Sequence, residues 1–226
     1  MYDIFHIAID GPVASGKGSV AAELSKRLGI PCLCTGALYR GFAVQCLQNN
    51  VDVHNKAVVR EALSKLNMKV AVEKDGVTRI FLDKKEVTDK LYNNEVSKIS
   101  SVIATIPEVR SKMVEMQQDI AKNQSFILEG RDICNVVLPN AKYKFFLTAD
   151  VKTRARRRMC DLKNKGQEIS FKEMIKQVKA REKNDRKNGG FKKVKGAIFI
   201  EGSNLTVTET VELMVRLSEK SAQVLH

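Results

Sequence analysis

The chain has 226 residues, of which 43% are apolar and 29% are charged, and its formal net charge is +13. This apolar fraction excludes a disordered chain, and the length suits one sizeable core with small inserts. No run of about 18 apolar residues predicts a membrane span, and the five cysteines are odd in number and form no CxxC pair, so we expect free thiols and a cytoplasmic location.

Short apolar runs recur along the chain and predict buried strands, because they are too short for helices and rich in β-branched or aromatic residues. They lie at residues 4–9, 30–34, 126–129, 143–147 and 197–200. Most are separated by patterns with helical spacing, such as Val109, Met113, Met116 and Ile120. Alternating strands and helices predict an α/β fold with a parallel sheet flanked by helices.

One segment departs from this alternation. Residues 66–87 contain two strand-like runs around Asp75 and Gly76, and Asp-Gly between such runs is the strongest short-range signal for a hairpin. We therefore predict a small antiparallel β insert beside the parallel sheet.

The stretch GPVASGKGS follows the first predicted strand and precedes a helical pattern. Its glycines permit positive φ and close backbone approach, and its lysine can reach terminal phosphates, so it predicts a P-loop for a nucleoside triphosphate with Mg²⁺. The hydroxyl that usually follows the lysine comes one residue later. The predicted ATP-binding residues are Gly11, Pro12, Val13, Ala14, Ser15, Gly16, Lys17, Gly18 and Ser19.

Other chemistries lack their motifs. The sequence contains no Asn-Lys-x-Asp tetrapeptide, the motif with which a GTPase reads guanine. The three histidines lie apart from every motif, so no Ser-His-Asp or Cys-His arrangement is suggested. Cys32 and Cys34 are not followed by a second pair at zinc spacing, and we predict no metal site formed by protein ligands alone.

The positive charge is concentrated in residues 152–195, which hold 17 Lys and Arg against five Asp and Glu. Such a cluster is explained by a solvated face, by nucleic acid or by a small phosphate-bearing substrate. Only Phe171 and Phe191 are aromatic in this region, which are too few and too far apart for a platform on which bases stack.

Several motifs appear in a characteristic order. They are the P-loop with Gly-Lys-Gly-Ser, TGALYR at 35–40, the antiparallel insert, EVSKISSVIATIPEVR at 95–110, EGRD at 129–132 and REKNDR at 181–186. In this order they resemble bacterial-type cytidylate kinases, which are P-loop nucleoside monophosphate kinases, and the resemblance covers essentially the whole chain. It implies a P-loop kinase core with a five-stranded parallel sheet, and ATP-dependent phosphorylation of CMP and dCMP by in-line transfer.

The resemblance also implies roles for individual residues. Ser101, Arg110, Asp132 and Thr35 match positions that read cytosine. Arg40 and Arg131 match arginines that hold the acceptor phosphate, as a planar guanidinium suits phosphate oxygens. Arg181 and Asp185 match a pair near the ribose, and their spacing places them on one helix face.

The arginines of the basic segment are predicted to serve the transferring phosphoryl group. Four consecutive helical positions do not face one ligand, so we expect Arg157 and Arg158 to face it and Arg154 and Arg156 to lie in solvent. The predicted catalytic residues are Lys17, Arg131, Arg157 and Arg158. No strong base is needed, because the acceptor phosphate is already ionised at neutral pH.

The resemblance divides the chain into three parts. A core covers residues 1–62, 101–150 and 168–226, an NMP-binding insert covers 63–100 and a lid covers 151–167. The expected cofactors are ATP as phosphoryl donor and Mg²⁺, and the expected partners are CMP, dCMP and ATP, with no nucleic acid and no membrane. We expect a monomer.

The sequence departs from the family pattern at four places. The family usually has Asp-Ser-Gly at Cys34-Thr35-Gly36, Gly-Thr at Cys134-Asn135, an arginine at Asn188, for which Lys187 is a partial substitute, and Asp-Ser/Thr-Thr near residues 200–205. Two alternatives follow from the residues alone. One is a kinase with the same core for UMP or another monophosphate, and the other is a basic RNA-binding protein with a nucleotide site.

Overall fold

The structure, a computed structural model, describes residues 4–73, 77–164, 166–187, 194 and 196–223. The described residues form two sheets and eight α-helices. The larger sheet contains β1 (His6–Asp10), β2 (Cys32–Cys34), β6 (Phe126–Gly130), β7 (Tyr143–Thr148) and β8 (Ile198–Glu201), and the smaller contains β3 (Met68–Val72), β4 (Thr78–Leu82) and β5 (Lys85–Glu86). The helices are α1 (Lys17–Leu28), α2 (Thr35–Gln48), α3 (Lys56–Ser64), α4 (Asn94–Ile103), α5 (Pro107–Ala121), α6 (Val151–Lys163), α7 (Phe171–Lys187) and α8 (Val207–Gln223).

The larger sheet is parallel throughout, in the order β2, β6, β1, β7, β8. This confirms the predicted five-stranded parallel sheet. Because parallel strands share one carboxyl edge, the segments after β2, β6 and β1 lie side by side there. The P-loop, the residues after Gly130 and the start of α2 are therefore neighbours.

The sheet packs against apolar layers on both faces. In one layer α1 packs against β6, β2 and β1 and against α8, and the layer includes Val20, Leu24 and Met214. The other holds α2, α4 and α5, with Phe42, Ile103 and Met113 fully buried. A third, smaller cluster joins α6 to α7.

The predicted antiparallel insert is present and packs on α2. Strand β3 pairs with β4 and β4 with β5, both antiparallel. A Cβ atom at Gly41 of α2 would lie 2.7 Å from Met68 Sδ and 2.8 Å from Ile80 Cγ2, so glycine allows the helix to approach the insert closely. The predicted turn at Asp75 and Gly76, and the family position at Asn188, lie outside the described residues.

Strand ends differ from the predictions by one or two residues. The second strand begins at Cys32 rather than at residue 30, since Pro31 has no N–H to donate and only its carbonyl accepts, from Ile127 N at 2.9 Å. The strand β5 and a π-helical turn at Ile133–Val137 were not predicted. No helix among the described residues combines the length and the apolar character that crossing a bilayer requires.

Candidate active site

The glycine-rich loop after β1 has the backbone of an anion-binding turn. Ala14 (φ 58°) and Gly16 (φ 98°) are left-handed, and a Cβ atom at Gly11 would overlap the carbonyl oxygen of Leu147 on β7. Gly16 is the N-cap of α1, and in the described part of the chain no side chain caps this helix end. Its amides are therefore oriented toward an incoming anion rather than satisfied by a side-chain cap.

Lys17 is buried inside this loop. It is 5% exposed, and its Nζ donates to the Pro12 carbonyl at 2.9 Å. Burial and, after it, the charge of Arg131 lower the pKa of Lys17 to about 7, against the opposing effect of Glu129. A bound polyphosphate supplies the negative charge that this lysine lacks in the protein alone.

Asp10, at the end of β1, holds the segment that follows β6. Its carboxylate accepts from Ile133 N at 2.7 Å and from Cys134 N at 3.0 Å. Burial raises the pKa of Asp10, and these backbone hydrogen bonds oppose that shift. The aspartate thus fixes the π-helical turn directly after Arg131 and Asp132.

A cavity of about 740 Å³ opens at this carboxyl edge. Lys17 and much of the P-loop line one part of it, and the opposite part is lined by side chains from α2, the insert, α4, α5, α6 and α7. The predicted site residues among its lining are Val13, Ala14, Gly16, Lys17, Gly18, Ser19, Thr35, Arg40, Ser101, Arg110, Arg131, Asp132, Arg158, Arg181 and Asp185. Residues far apart in the chain therefore meet in one volume.

The polar side chains of the cavity pair with one another. Arg110 forms an ion pair with Asp132. Asp185 accepts from Arg131 Nε at 2.8 Å and from Arg181 Nε at 3.3 Å. Arg131 also donates to the Gly11 carbonyl at 3.2 Å, so one arginine links the P-loop to α7.

Thr35 and Ser101 have hydroxyls with fixed roles in this network. Thr35 is 4% exposed and donates to the Glu129 carbonyl at 2.8 Å, which leaves its oxygen free only to accept. Ser101 donates to the Ser97 carbonyl at 2.7 Å and accepts from Arg181. An acceptor at Thr35 suits an exocyclic amino group of a base.

Among the described residues, Arg40 and Arg158 are the arginines of the cavity lining without an ion pair. Arg40 lies over the ring of Tyr92, 5.2 Å from its centroid, and within the described part of the chain its buried Nε has no hydrogen-bond partner. Burial lowers the pKa of Arg158, and the charge of Arg40 adds to that effect against Asp161. Two unneutralised guanidinium groups indicate an anion-binding region.

The arginines of α6 correct one prediction. Arg154, expected in solvent, is 3% exposed and donates to the carbonyls of Ala149 (2.9 Å) and Val13 (3.4 Å) and to Glu182 (2.7 Å). The prediction failed because burial of an arginine depends on acceptors from distant segments, which helical spacing does not reveal. Arg156 is exposed, as expected, and its guanidinium lies over Phe171.

Arg157 lies behind the P-loop rather than in the cavity lining. It donates to the Ser15 carbonyl at 3.0 Å and to the Gly202 carbonyl at 2.7 Å. It therefore connects the P-loop to the segment after β8, where the sequence departs from the family pattern. Gly11, Pro12 and Ser15 are also outside the lining, although they shape the loop.

Sequence reasoning missed several side chains of the cavity. Glu129 precedes the Gly-Arg-Asp motif, and Cys34 departs from the family pattern, but the sequence assigns neither residue a role. Tyr92, Thr78 and Asn184 also line the cavity. No local pattern marks Tyr92 or Thr78, which reach the site because the insert folds against β2.

Comparison with known proteins agrees with this geometry. The cytidylate kinase family model matches residues 7–220. A cytidylate kinase of Caldanaerobacter subterraneus subsp. tengcongensis is 38% identical over 219 residues, covering 96% of this chain and 96% of that protein. The chain belongs to the cytidylate kinase family. A cytidylate kinase of Caldicellulosiruptor bescii is 36% identical over 217 residues, covering 95% of this chain and 96% of that protein.

Membership of the cytidylate kinase family also accounts for the fold. The structure of a gluconokinase from Sinorhizobium meliloti has a TM-score of 0.50 to this chain at 11% identity, covering 98% of each chain. At that identity the likeness concerns the fold alone.

Proposed function

We propose that the chain transfers the γ-phosphoryl group of ATP to CMP and dCMP, with the residue roles given below. The observation that carries this function is the single cavity with Lys17 and the P-loop on one side and unneutralised arginines on the other. The full-length similarity to cytidylate kinases supports the same reaction. ATP is the phosphoryl donor, and the enzyme is a phosphotransferase.

The donor side is formed by Gly11 to Ser19. The loop amides and the uncapped start of α1 cradle the phosphates, and Lys17 neutralises the terminal ones. We assign Arg157 to holding the P-loop in shape through Ser15 and Gly202, and Arg158 to the transferring phosphoryl group. This division follows from the position of each guanidinium relative to the cavity.

The acceptor side is formed by polar side chains of α2, α4, α5 and α7 and of the segment after β6. Arg40 and Arg131 bind the phosphate of CMP, and Asp185, oriented by Arg181, accepts from the ribose. Asp132 and Thr35 accept from the cytosine amino group, while Arg110 and Ser101 donate to its O2 and N3. Thr35 accepts in the geometry it already has, whereas Ser101 donates to the base only once its hydroxyl turns away from the Ser97 carbonyl.

The transfer needs positioning and charge neutralisation and no general base. An ionised oxygen of the CMP phosphate forms a bond to the γ-phosphorus, and the bond from that phosphorus to the β-γ bridging oxygen breaks, releasing ADP. Lys17, Arg131 and Arg158 neutralise the charge spread over the equatorial oxygens. Closing the lid over the cavity excludes water, so that the phosphoryl group passes to CMP.

Mg²⁺ is proposed as a cofactor brought by the nucleotide. No cluster of three or more His, Cys, Asp or Glu suited to a metal ion is found among the described residues, and Mg²⁺ typically takes substrate phosphates and waters with few protein ligands. A Cβ atom at Gly18 would meet nothing within 4 Å, so the start of α1 has room for the ion. Ser19 and Glu129, which line the cavity near Lys17, are the oxygen donors we assign to it.

The division into a core, an NMP-binding insert at 63–100 and a lid at 151–167 is part of the proposal. The insert contributes Thr78, Thr88 and Tyr92 to the cavity, and the lid contributes Arg158 and Asn164. We also propose a monomer in the cytoplasm with no nucleic-acid partner, since nucleotides account for the basic segment.

The test is ADP formation from MgATP with CMP, dCMP, UMP, AMP or dTMP as acceptor. We expect rapid turnover with the cytidine nucleotides and a loss of at least about 100-fold in Lys17→Ala, because one essential phosphate-neutralising charge is removed. Lys26→Ala, on the exposed side of the same helix, is the matched control and should keep full activity. Turnover with UMP equal to that with CMP would move the assignment to a kinase of broader specificity.

A second measurement distinguishes the RNA-binding alternative. If RNA were the partner, binding of an oligonucleotide would fall steeply with salt and would not depend on Lys17. We expect no inhibition of CMP turnover by a 20-nucleotide RNA at micromolar concentration. Tight, salt-sensitive RNA binding without any kinase activity would replace the proposed function.

A further inference from the structure

The guanidinium of Arg40 is held between a glycine and an aromatic ring. A Cβ atom at Gly36 would lie 2.8 Å from Arg40 Nη1, so the glycine allows the guanidinium to rest against the helix backbone. On its other side the guanidinium lies 5.2 Å from the centroid of Tyr92. A cation above an aromatic face is attracted to it without losing its charge.

The polar surroundings of Arg40 leave that charge available. Arg158 and Arg181 lie in the same cavity, and their pKa values are lowered first by burial and also by the charge of Arg40. Within the described residues Nε of Arg40 is buried without a hydrogen-bond partner. An aromatic ring orients this arginine without an acid that would compete with a phosphate.

Tyr92 is itself anchored to the parallel sheet. Its hydroxyl hydrogen-bonds to the side chain of Cys34 at the end of β2. Cys34 N donates to Thr78 Oγ1 at 3.0 Å, and Cys34 pairs in register with Glu129 of β6. The ring of Tyr92 therefore has a defined position relative to the carboxyl edge of the sheet.

The Cys34 thiol stays neutral in this position. Burial and, after it, the charge of Glu129 raise its pKa to about 12. A neutral thiol accepts the phenol hydrogen bond but does not attract the guanidinium as a carboxylate would. The hydrogen bond that anchors Tyr92 therefore does not neutralise the charge of Arg40.

We propose that Tyr92 is a positioning residue that, anchored by Cys34, holds Arg40 for the phosphate of the acceptor nucleotide. This rests on the proposed function, in which Arg40 binds that phosphate. The role belongs to this chain's own side chains at 34, 40 and 92. It makes the insert, which carries Tyr92, part of the phosphate-binding site.

The test measures CMP dissociation constants by calorimetry for the full-length protein and its variants. Tyr92→Leu removes the ring and should weaken CMP binding about tenfold, while Tyr92→Phe keeps the ring and should stay within about threefold. ATP affinity should not change. Because Tyr92 acts through the phosphate contact, inhibition by cytidine, which has no phosphate, should be equal in Tyr92→Leu and the unmodified protein.

A double-mutant cycle with Arg40→Ala decides whether Tyr92 acts through Arg40. We expect Tyr92→Leu to add no further loss in the Arg40→Ala background, since the group it positions is gone. Phe171→Leu, which removes the ring beneath Arg156 outside the cavity, is the matched control and should leave CMP affinity unchanged. Thermal unfolding of each variant checks that it folds.

The outcomes separate the two proposals. An equal loss from Tyr92→Leu with and without Arg40, or an equal loss of cytidine affinity, would overturn the positioning role and leave the proposed function intact. Unchanged CMP affinity in Arg40→Ala would contradict the phosphate role of Arg40, and with it the inference about Tyr92.

Discussion

Lys17 is buried, although neutralising phosphates requires its charged form. Its pKa is lowered to about 7, by burial and then by Arg131, whereas a bound polyphosphate favours the ammonium form. Above about pH 7 the protein alone therefore loses the proton from Lys17 while the complex with ATP keeps it. ATP affinity should fall as the pH rises through this range, by up to about tenfold per pH unit.

The uptake of this proton is directly measurable. Calorimetry of ATP binding at about pH 8, in two buffers of different ionisation enthalpy, should show uptake of about one proton. Lys17→Arg, which stays charged at this pH, should show none. Binding without proton uptake in the unmodified protein would contradict the lowered pKa of Lys17.

At the scale of elements, the buried Arg154 joins α6 to α7 by an ion pair and to the P-loop by a hydrogen bond. Arg154 donates to Glu182 at 2.7 Å and to the Val13 carbonyl at 3.4 Å. Glu182→Gln removes the charge opposite a buried guanidinium and should lower the free energy of unfolding by about 2 kcal/mol. Glu173 on the same helix has an exposed partner, Lys176, whose Nζ lies 3.9 Å from the Glu173 carboxylate. Glu173→Gln should therefore change the free energy of unfolding by less than about 0.5 kcal/mol.

The pH dependence of this pair has a definite sign. Burial raises the pKa of Glu182, but the hydrogen bonds from Arg154 and Arg186 outweigh it, so the net shift is downward. A lowered carboxyl pKa gives stability that is present above the ordinary glutamate value and is lost as the pH falls through the folded value. Urea unfolding at acid and neutral pH should therefore show the difference between Glu182→Gln and the unmodified protein shrink in acid.

The elements themselves were largely predictable. The sequence predicts strand β6 to within one residue. All five residues of its FILEG sequence are buried, so the strand shows neither the alternation of a half-buried strand nor the spacing of an amphipathic helix. The parallel order followed from strands alternating with helices. The short strand β5 was not predictable, since its two residues, Lys85 and Glu86, are exposed and form a strand only because β4 offers an open edge.

The same distinction between local pattern and distant contact applies to the residues of the site. Lys17, Arg131 and Asp132 belong to motifs in which the residues are adjacent in sequence, so the sequence alone predicts them as site residues, and all three line the cavity. Tyr92 and the buried state of Arg154 depend on contacts between segments distant in the chain, which no local pattern encodes.

At the scale of the whole molecule, the insert and the core share one apolar interior. Ile80 and Leu82 of β4 belong to the same buried cluster as Leu38 and Phe42 of α2. We therefore expect insert and core to unfold together in a single transition. Gly41→Ala, whose Cβ would press on Met68 and Ile80, should lower the free energy of unfolding by about 1 to 3 kcal/mol.

Circular dichroism and hydrogen exchange of the insert amides check this cooperativity. Both should report the same midpoint in the unmodified protein and the same lowered midpoint in Gly41→Ala. An earlier transition confined to the insert would show that it is a separate folding unit.

The ion pairs inside the cavity compete with a bound nucleotide for the same side chains. Arg110 holds Asp132, and Asp185 holds both Arg131 and Arg181, so a nucleotide gains only the difference between its contacts and those it displaces. Under the proposed roles of Arg110 and Asp132, a base that opens their ion pair without replacing it leaves two charges unpaired. Rejection of a wrong base would then come from an internal bond that only the right base can exchange without loss.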